Sequence, residues 1–428
     1  MIGKTWGLKP HICKWMYTSL IRPIISYGSL VLAKSLENAT HIAIFEKLQR
    51  QVCLSILNAM RSTPTAGMEA IIGLIPIEIH MKTICIMSFL RLKENGNWKP
   101  QPGSLLNPMN HSNMVVKWAE QIPNLIIPRD KLTCLVRVRK QFNTQIDTRD
   151  HWKTTTARLT PTELGVIHCF TDGSKNAEYS GAGYIIRGLN LKAQGYFQLG
   201  AQGTVFQAEV MALQVSATEL QKLEVVDQNI QFYTDSQAAI KALNKYSTNS
   251  KCVLECKETL NQLAQTNKIN INWIPGHQGQ LGNEVADRLA KRGADLMIEG
   301  PEPIIPAATA NIKQFVKQWA EKTHQEKWKR RKDCRQSKIF VEQVQNKIWK
   351  TIVRQCFSRK ETRWITQIMT GHACLNRQLF IMKLEDSPTC DFCEEGEESS
   401  MHFLGECPYF SRIRYDIFGI HFLTILIT

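Results

Sequence analysis

Residues 166–296 change apolar period several times, and each change marks an element. VIHCFTD (166–172) reads as a buried strand running into an exposed acid, glycines at 181 and 183 open GAGYIIR, and LKAQGYFQL follows Gly188–Asn190. Runs of this length broken by turn residues predict an antiparallel meander. FQAEVMALQVSATEL (206–220) then places Val210, Leu213, Ala217 and Leu220 at helical spacing. IQFYTD (230–235) is a short strand that passes directly into SQAAIKAL, with Ser236 as N-cap. Helical CVLECKETLNQLAQ, strand ININ (269–272), the loop WIPGHQGQLG and helical NEVADRLAKRGA complete the block. The order β-β-β-α-β-α-α-β-α predicts an α/β fold: a mixed five-stranded sheet with packed helices.

The flanks are patterned differently. Residues 17–80 read as amphipathic helices with basic residues. Residues 95–112, rich in Asn, Pro and Gly, read as a loop, and 299–310 hold three prolines and read as a second linker. The expected organisation is a helical region over 1–95, a connection over 96–165, the α/β block over 166–296, a linker over 297–310, a basic helical region over 311–364 and a small tail over 365–428. No internal repeat or low-complexity tract occurs.

Length and charge sharpen this division. A chain of 428 residues exceeds one ordinary domain, and its net charge of +15 makes a polyanion the first partner to consider. The charge is uneven: +11 over residues 1–167, zero over 168–296, +11 over 311–364 and −5 over 365–428. A neutral centre is flanked by basic neighbours. No apolar run reaches the ~18 residues of a membrane span, so no membrane partner is expected. The first ten residues, MIGKTWGLKP, lack the apolar stretch of a secretory leader. Thirteen irregularly spaced cysteines fit reduced thiols in an intracellular protein better than a disulfide framework.

Four acids of the neutral block fall at informative places. Asp172 ends the first strand, Asp235 ends the fourth, Glu209 lies on the helix between them, and Asp287 sits in the last helix among Val285, Ala286, Leu289 and Ala290. Taken singly, each reads equally well as a surface acid or a helix cap. Taken together, strand ends that converge and helices packed on the sheet bring them to one place. Clustered carboxylates repel one another and resist desolvation unless a cation neutralises them. Hard oxygen donors of this kind select Mg²⁺ or Mn²⁺, and a pair of such ions suits phosphodiester cleavage.

FTDGS, AEVMAL, YTDS, WIPGHQG and GNEVADRLA, in this order and spacing, resemble a type 1 ribonuclease H domain. The form is the one carried by jockey-like non-LTR retrotransposons of insects. The resemblance implies a ribonuclease H-like fold and cleavage of the RNA strand of RNA–DNA hybrids to 5′-phosphate and 3′-hydroxyl ends. It implies Asp172, Glu209, Asp235 and Asp287 as ligands of two Mg²⁺ or Mn²⁺ ions. His277 in PGHQG matches the mobile-loop histidine that assists proton transfer or product release, and Ser174, Gln237 and Asn283 match positions that touch the hybrid. One departure stands out: TVFQ (204–207) replaces the polar, Asn-rich stretch that cellular enzymes carry before the glutamate.

With that domain in place, residues 17–80 resemble the segment that follows the polymerase palm in retrotransposon reverse transcriptases. The adjacent aspartate pair of a polymerase is absent from the sequence, so polymerisation is not expected. The chain looks like the C-terminal part of a longer polyprotein or a truncated genomic copy. Over 311–364, Trp319, Trp328, Trp349 and Trp364 are interleaved with cations around KWKRRK (327–332). This pattern suits phosphate attraction with base stacking, and equally a charged helix whose tryptophans fill a local core. KWKRRK is too short a signal to fix a nuclear location.

The tail carries Cys390-x2-Cys393-x8-His402-x4-Cys407, a donor set that suits one structural zinc in a knuckle-like module; free thiols are the alternative. The intervening EEGEE (394–398) makes this module a poor phosphate binder. Two functional readings follow: a metal-dependent RNA–DNA hybrid ribonuclease, or a catalytically silent nucleic-acid-binding remnant of a retroelement.

Overall fold

The structure is a computed structural model that describes residues 7–98, 111–123, 125, 128–146, 165–276, 280–296, 305–344 and 347–423. Two compact units emerge: Glu94–Gly96 with Pro123–Gln314, and Met1–Lys93 with Asn97–Ile122 and Phe315–Thr428.

The first unit is built on a six-stranded sheet of β1 (Asn143–Gln145), β2 (Val166–Lys175), β3 (Ser180–Gly188), β4 (Leu191–Gly200), β5 (Asn229–Thr234) and β6 (Lys268–Trp273), in the order β1-β6-β5-β2-β3-β4. β2, β3 and β4 form the expected antiparallel meander, whereas β2, β5, β6 and β1 run parallel. The helices are α1 (Val205–Lys222), α2 (Gln237–Asn244), α3 (Lys251–Leu263) and α4 (Leu281–Ala294). Five strands and four helices stand in the order read from the sequence.

The sixth strand, β1, corrects the five-stranded expectation. Its residues Asn143, Thr144 and Gln145 carry no apolar alternation. Backbone pairing to β6 holds it, with Asn143 Nδ2 donating to Asn270 Oδ1 at 3.1 Å and the neighbouring Phe142 buried in the core. Asp130 also belongs to this unit: its carboxylate accepts from Ser250 Oγ (2.8 Å) and Cys252 N (2.9 Å), fixing the start of α3.

Val210, Leu213, Ala217 and Leu220 of α1 pack on Ile167 and Cys169 of β2 and on Ile230 and Phe232 of β5. The helical spacing seen in the sequence is therefore the core-facing stripe. Burying one such aliphatic side chain contributes ~1.5–3 kcal/mol, which fixes α1 against the middle of the sheet. α4 packs against β2 and β3; Gly181 and Gly183 allow this because any Cβ there would strike the α4 backbone at Ala294 and Ala290.

The second unit is helical. Ala39–Leu57 is capped by Asn38, whose side chain accepts from Thr40 N and His41 N, and ends at Asn58 in the left-handed conformation (φ 53°). With Thr65–Ile72 and parts of 328–369 it encloses Tyr17, Cys53, Leu57, Ile71, Trp328, Trp349 and Met369. A polar chain crosses this core: Tyr17 Oη donates to Gln49 Oε1 (2.8 Å), and Gln49 Nε2 donates to Glu69 Oε1 (2.5 Å). Trp328 and Trp349 are thus core residues. Trp328 Nε1 donates to Val341 O at 2.9 Å, which settles the choice left open for these two residues against base stacking. Trp364 alone of the four is largely exposed. Among the described residues no single helix is long and apolar enough to cross a membrane.

Candidate active site

Parallel strands place their carboxyl ends at one edge of a sheet, and that edge is where α/β folds gather chemistry. Here β2 and β5 are in register with Phe170 opposite Tyr233, their rings stacked with centroids 4.8 Å apart. Two residues beyond that pair lie Asp172 and Asp235: Asp235 follows the last residue of β5 as expected, whereas Asp172 is buried within β2, which runs on to Lys175 by pairing with β3, instead of ending the strand as an exposed acid. The polypeptide turns at once after Asp235: Ser236 N donates to Thr234 Oγ1 (3.1 Å), and Ser236 Oγ caps α2 by accepting from Ala239 N (3.3 Å). Asp235 is therefore held at a strand end by the start of a helix.

Glu209 arrives from α1. The TVFQ segment that departs from the cellular pattern is the N-terminal capping box of this helix, with Thr204 Oγ1 accepting from Gln207 N and Gln207 Oε1 accepting from Thr204 N. Gln207 is buried, and its Nε2 donates to Pro306 O (2.7 Å), so it serves the fold. Gly173 decides how close Glu209 can come to Asp172. A Cβ at position 173 would lie 2.5 Å from the Glu209 backbone nitrogen, so a side chain there would push α1 away from the strand end.

The result is a cluster of Asp172, Glu209 and Asp235 with ligand oxygens all within 4.8 Å of one another. Burial pushes the Asp172 carboxyl up to about 7, and the Asp235 charge adds to the effect. Burial also raises Glu209 well above the ordinary carboxylate range, followed by repulsion from Asp172 and Asp235. Opposing these is the Gly173 backbone N–H, which donates to Asp172 Oδ1 at 2.8 Å; Thr234 Oγ1 donates to Glu209 Oε2 at 3.2 Å and fixes its orientation. Donors aimed at the anionic oxygens orient them while the repulsion persists. A hard divalent cation fits this all-oxygen set and relieves its strain.

The other expected residues are placed as follows. Asp287 lies on α4, near enough for its charge to bear on Asp172, but outside the tight trio; its Oδ2 accepts from Lys291 Nζ at 2.7 Å. Ser174 follows Asp172 on the same face of β2 and is half-buried. Gln237 opens α2, its Oε1 accepting from Lys241 Nζ at 3.2 Å. Asn283 is buried on α4, and its Oδ1 has no hydrogen-bond partner among the described residues. His277 lies outside the described residues; Gly276, just before it, sits beside the Asp235 carboxylate. Sequence reasoning missed Thr234 and Lys291. The signal for Thr234 was its place next to Asp235 in YTDS, and for Lys291 the i,i+4 spacing from Asp287.

A second cluster stands in the tail. Cys390, Cys393, His402 and Cys407 bring their ligand atoms within 4.8 Å of one another. Cys393 Sγ is 3.2 Å from His402 Nε2, and Cys390 Sγ is 4.0 Å from Cys407 Sγ. His402 Nδ1 faces Glu406 Oε2 at 3.9 Å, the arrangement in which a carboxylate orients an imidazole toward a metal. Glu394 adopts φ 58° and Cys390 N donates to Gly396 O, folding the chain sharply after the first cysteine pair. This soft S₃N set fits zinc.

Residues 165–295 match the family described as RNase H. Among solved structures, the chain is similar to RNase H1 of the halophilic archaeon Halobacterium salinarum NRC-1, with 24% identity over 31% of this chain and 98% of that chain, at a TM-score of 0.26. It is also similar to the N-terminal RNase H domain of a Mycobacterium tuberculosis protein solved as a fusion with maltose-binding protein. There the identity is 21% over 30% of this chain and 99% of that chain, again with a TM-score of 0.26.

Proposed function

We propose that the RNase H domain over residues 165–295 is of type 1 and hydrolyses the RNA strand of RNA–DNA hybrids endonucleolytically, leaving 5′-phosphate and 3′-hydroxyl ends. The observation that carries the reading is the trio of buried Asp172 and Glu209 with half-buried Asp235, whose ligand oxygens lie within 4.8 Å of one another, Asp172 within β2 and Asp235 just past the end of the neighbouring parallel β5. Asp172, Glu209, Asp235 and Asp287 are the ligands proposed for two Mg²⁺ or Mn²⁺ ions, which when bound activate a water and stabilise the leaving oxygen.

The protein's own residues do the rest. Gly173 N and Thr234 Oγ1 keep Asp172 and Glu209 oriented. Asn283 Oδ1, buried and unpartnered among the described residues, is an acceptor that suits a ribose 2′-hydroxyl, the group that distinguishes RNA from DNA. Ser174 and Gln237, at the same edge of the sheet, are assigned to the hybrid backbone. His277, next in sequence after Gly276, is assigned to moving a proton at the product side.

In the tail, Cys390, Cys393, His402 and Cys407 are proposed to hold one structural zinc. The flanking segments support placing the domain in a non-LTR retroelement polyprotein of the jockey kind, without a polymerase active site of its own. The test is to incubate the purified chain and Mg²⁺ with a hybrid labelled in its RNA strand, beside RNA and DNA duplexes of the same sequence. Internal cuts confined to the hybrid RNA support the reading. An intact hybrid, with nucleic-acid binding retained, would mean a silent remnant.

A further inference from the structure

The helical unit holds a groove of about 740 Å³ between helix Thr309–Arg330, residues 343–344 and helix Lys347–Arg354. Lys317, Lys322, Lys329 and Lys350 line it, against Glu321 as the one acid among its lining residues. Glu321 engages Lys317 at 3.7 Å, while no ion pair to Lys322, Lys329 or Lys350 occurs among the described residues. All four lysines are exposed. The wall opposite the long helix is fixed: Gln325 Nε2 donates to Glu342 O (3.0 Å), and Val344 N donates to Gln325 Oε1 (2.8 Å). Strongly amphipathic packing explains how Lys350 comes to face outward. Its helix turns Trp349 and Ile352 into the core, leaving the intervening cations at the surface.

We infer that this groove is a second nucleic-acid site, one that grips the sugar-phosphate backbone through lysine charge and reads no bases. Four cations on a concave surface fit a line of phosphates, and lysine supplies point charges without directional demands. Base stacking is not available here, because Trp328 and Trp349 are committed to the core. A membrane surface is the poorer fit, since the site is concave and no exposed aromatic or leucine lines it. The choice of nucleic acid among polyanions rests on the hybrid-cleaving reading proposed above, whereas the groove itself lies in the other unit and contains none of the acids of that site.

The experiment compares the full chain with the triple variant Lys322→Glu/Lys329→Glu/Lys350→Glu, both in an Asp172→Asn background with EDTA. Anisotropy of a fluorescein-labelled hybrid is followed from 50 to 300 mM NaCl, with circular-dichroism melts as the control for folding. Every phosphate that a lysine ceases to neutralise lowers the slope of log K against log[NaCl] by ~0.9, so the three substitutions are expected to lower it by ~2–3 and to weaken binding at least tenfold at the low-salt end. Lys→Arg at the same positions retains the slope; Lys→Gln, which also neutralises no phosphate, lowers it by the same ~2–3. An unchanged slope and affinity in a folded triple variant overturns the inference, as does equal weakening on phosphatidylserine vesicles with hybrid binding intact. Hydrolysis by the chain with Asp172 restored is read separately on a short hybrid. Absence of cutting alone refutes the hydrolytic reading, and a salt slope unaffected by the lysine substitutions alone refutes this one.

Discussion

Thr234 Oγ1 donates a hydrogen bond to Glu209 Oε2 at 3.2 Å, joining the end of β5 to the helix that carries the most deeply buried acid of the site. Thr234 is itself fully buried, so nothing else can replace its hydroxyl. The hydrogen bond explains how a carboxyl raised by burial and by two neighbouring acids is still held in one orientation.

Thr234→Val keeps shape and removes that donor. Leaving a buried acceptor unpaired costs ~1–3 kcal/mol. The expected outcome is a chain that folds but binds Mn²⁺ roughly tenfold more weakly, by titration calorimetry, with a matching fall in cleavage. Unaltered Mn²⁺ affinity would show that Thr234 does not position Glu209.

Asp172→Asn is expected to stabilise the domain when divalent cations are chelated. Burial, then the Asp235 charge, raises the Asp172 carboxyl to about 7, above its ordinary range near 4. A group shifted in this direction contributes stability that is fully present below ~4 and is lost as pH rises through about 7. Thermal melts in EDTA should therefore show the parent chain losing stability between pH 4 and 7, on the order of 2–4 kcal/mol, with a flatter profile for the variant. A parent profile that is flat or rises over that window would contradict the assignment.

Cys390→Ser removes one of four converging donors in the tail. The purified parent is expected to carry one equivalent of zinc by elemental analysis and the variant none. Zinc loss should expose residues 376–423 to proteolysis, because this module has few buried apolar side chains besides its cysteines. A parent free of zinc would leave four thiol and imidazole groups without a metal role.

Trp328→Phe separates core from stacking. The substitution deletes the Nε1 donor to Val341 O and leaves an unfilled edge in the helical core, at a cost of ~1–3 kcal/mol. Melting temperature should fall while the affinity of the folded chain for a labelled hybrid is unchanged. Weaker binding without a change in stability would restore the stacking role.

How much of this was legible in the sequence differs from residue to residue. The apolar stripe Val210, Leu213, Ala217 and Leu220 has one periodicity and one use, and α1 forms where it falls. Asp172 and Asp235 were readable because an acid at the end of an apolar run is conspicuous, although β2 continues past Asp172 to Lys175 through its pairing with β3. β1 was not readable: Asn143–Gln145 has polar side chains and is held by backbone pairing to a strand 127 residues away at the Asn143–Asn270 pair. The basic region gave its charge in the sequence but not its geometry. Whether a tryptophan among lysines stacks on a base or fills a core depends on which helix face meets the core, and Trp328 and Trp349 meet it. TVFQ looked like a missing substrate contact, whereas Thr204 and Gln207 cap the helix that presents Glu209.

The most direct measurement of the central claim sets the parent chain beside Asp172→Asn, Glu209→Gln and Asp235→Asn on one labelled RNA–DNA hybrid with saturating Mg²⁺ or Mn²⁺. Parent cleavage is predicted, with each neutralised variant slower by at least ~10²-fold, because each removes a charge that the bound cations need at the reacting phosphate. Equal cleavage by the parent and all three variants would contradict the account.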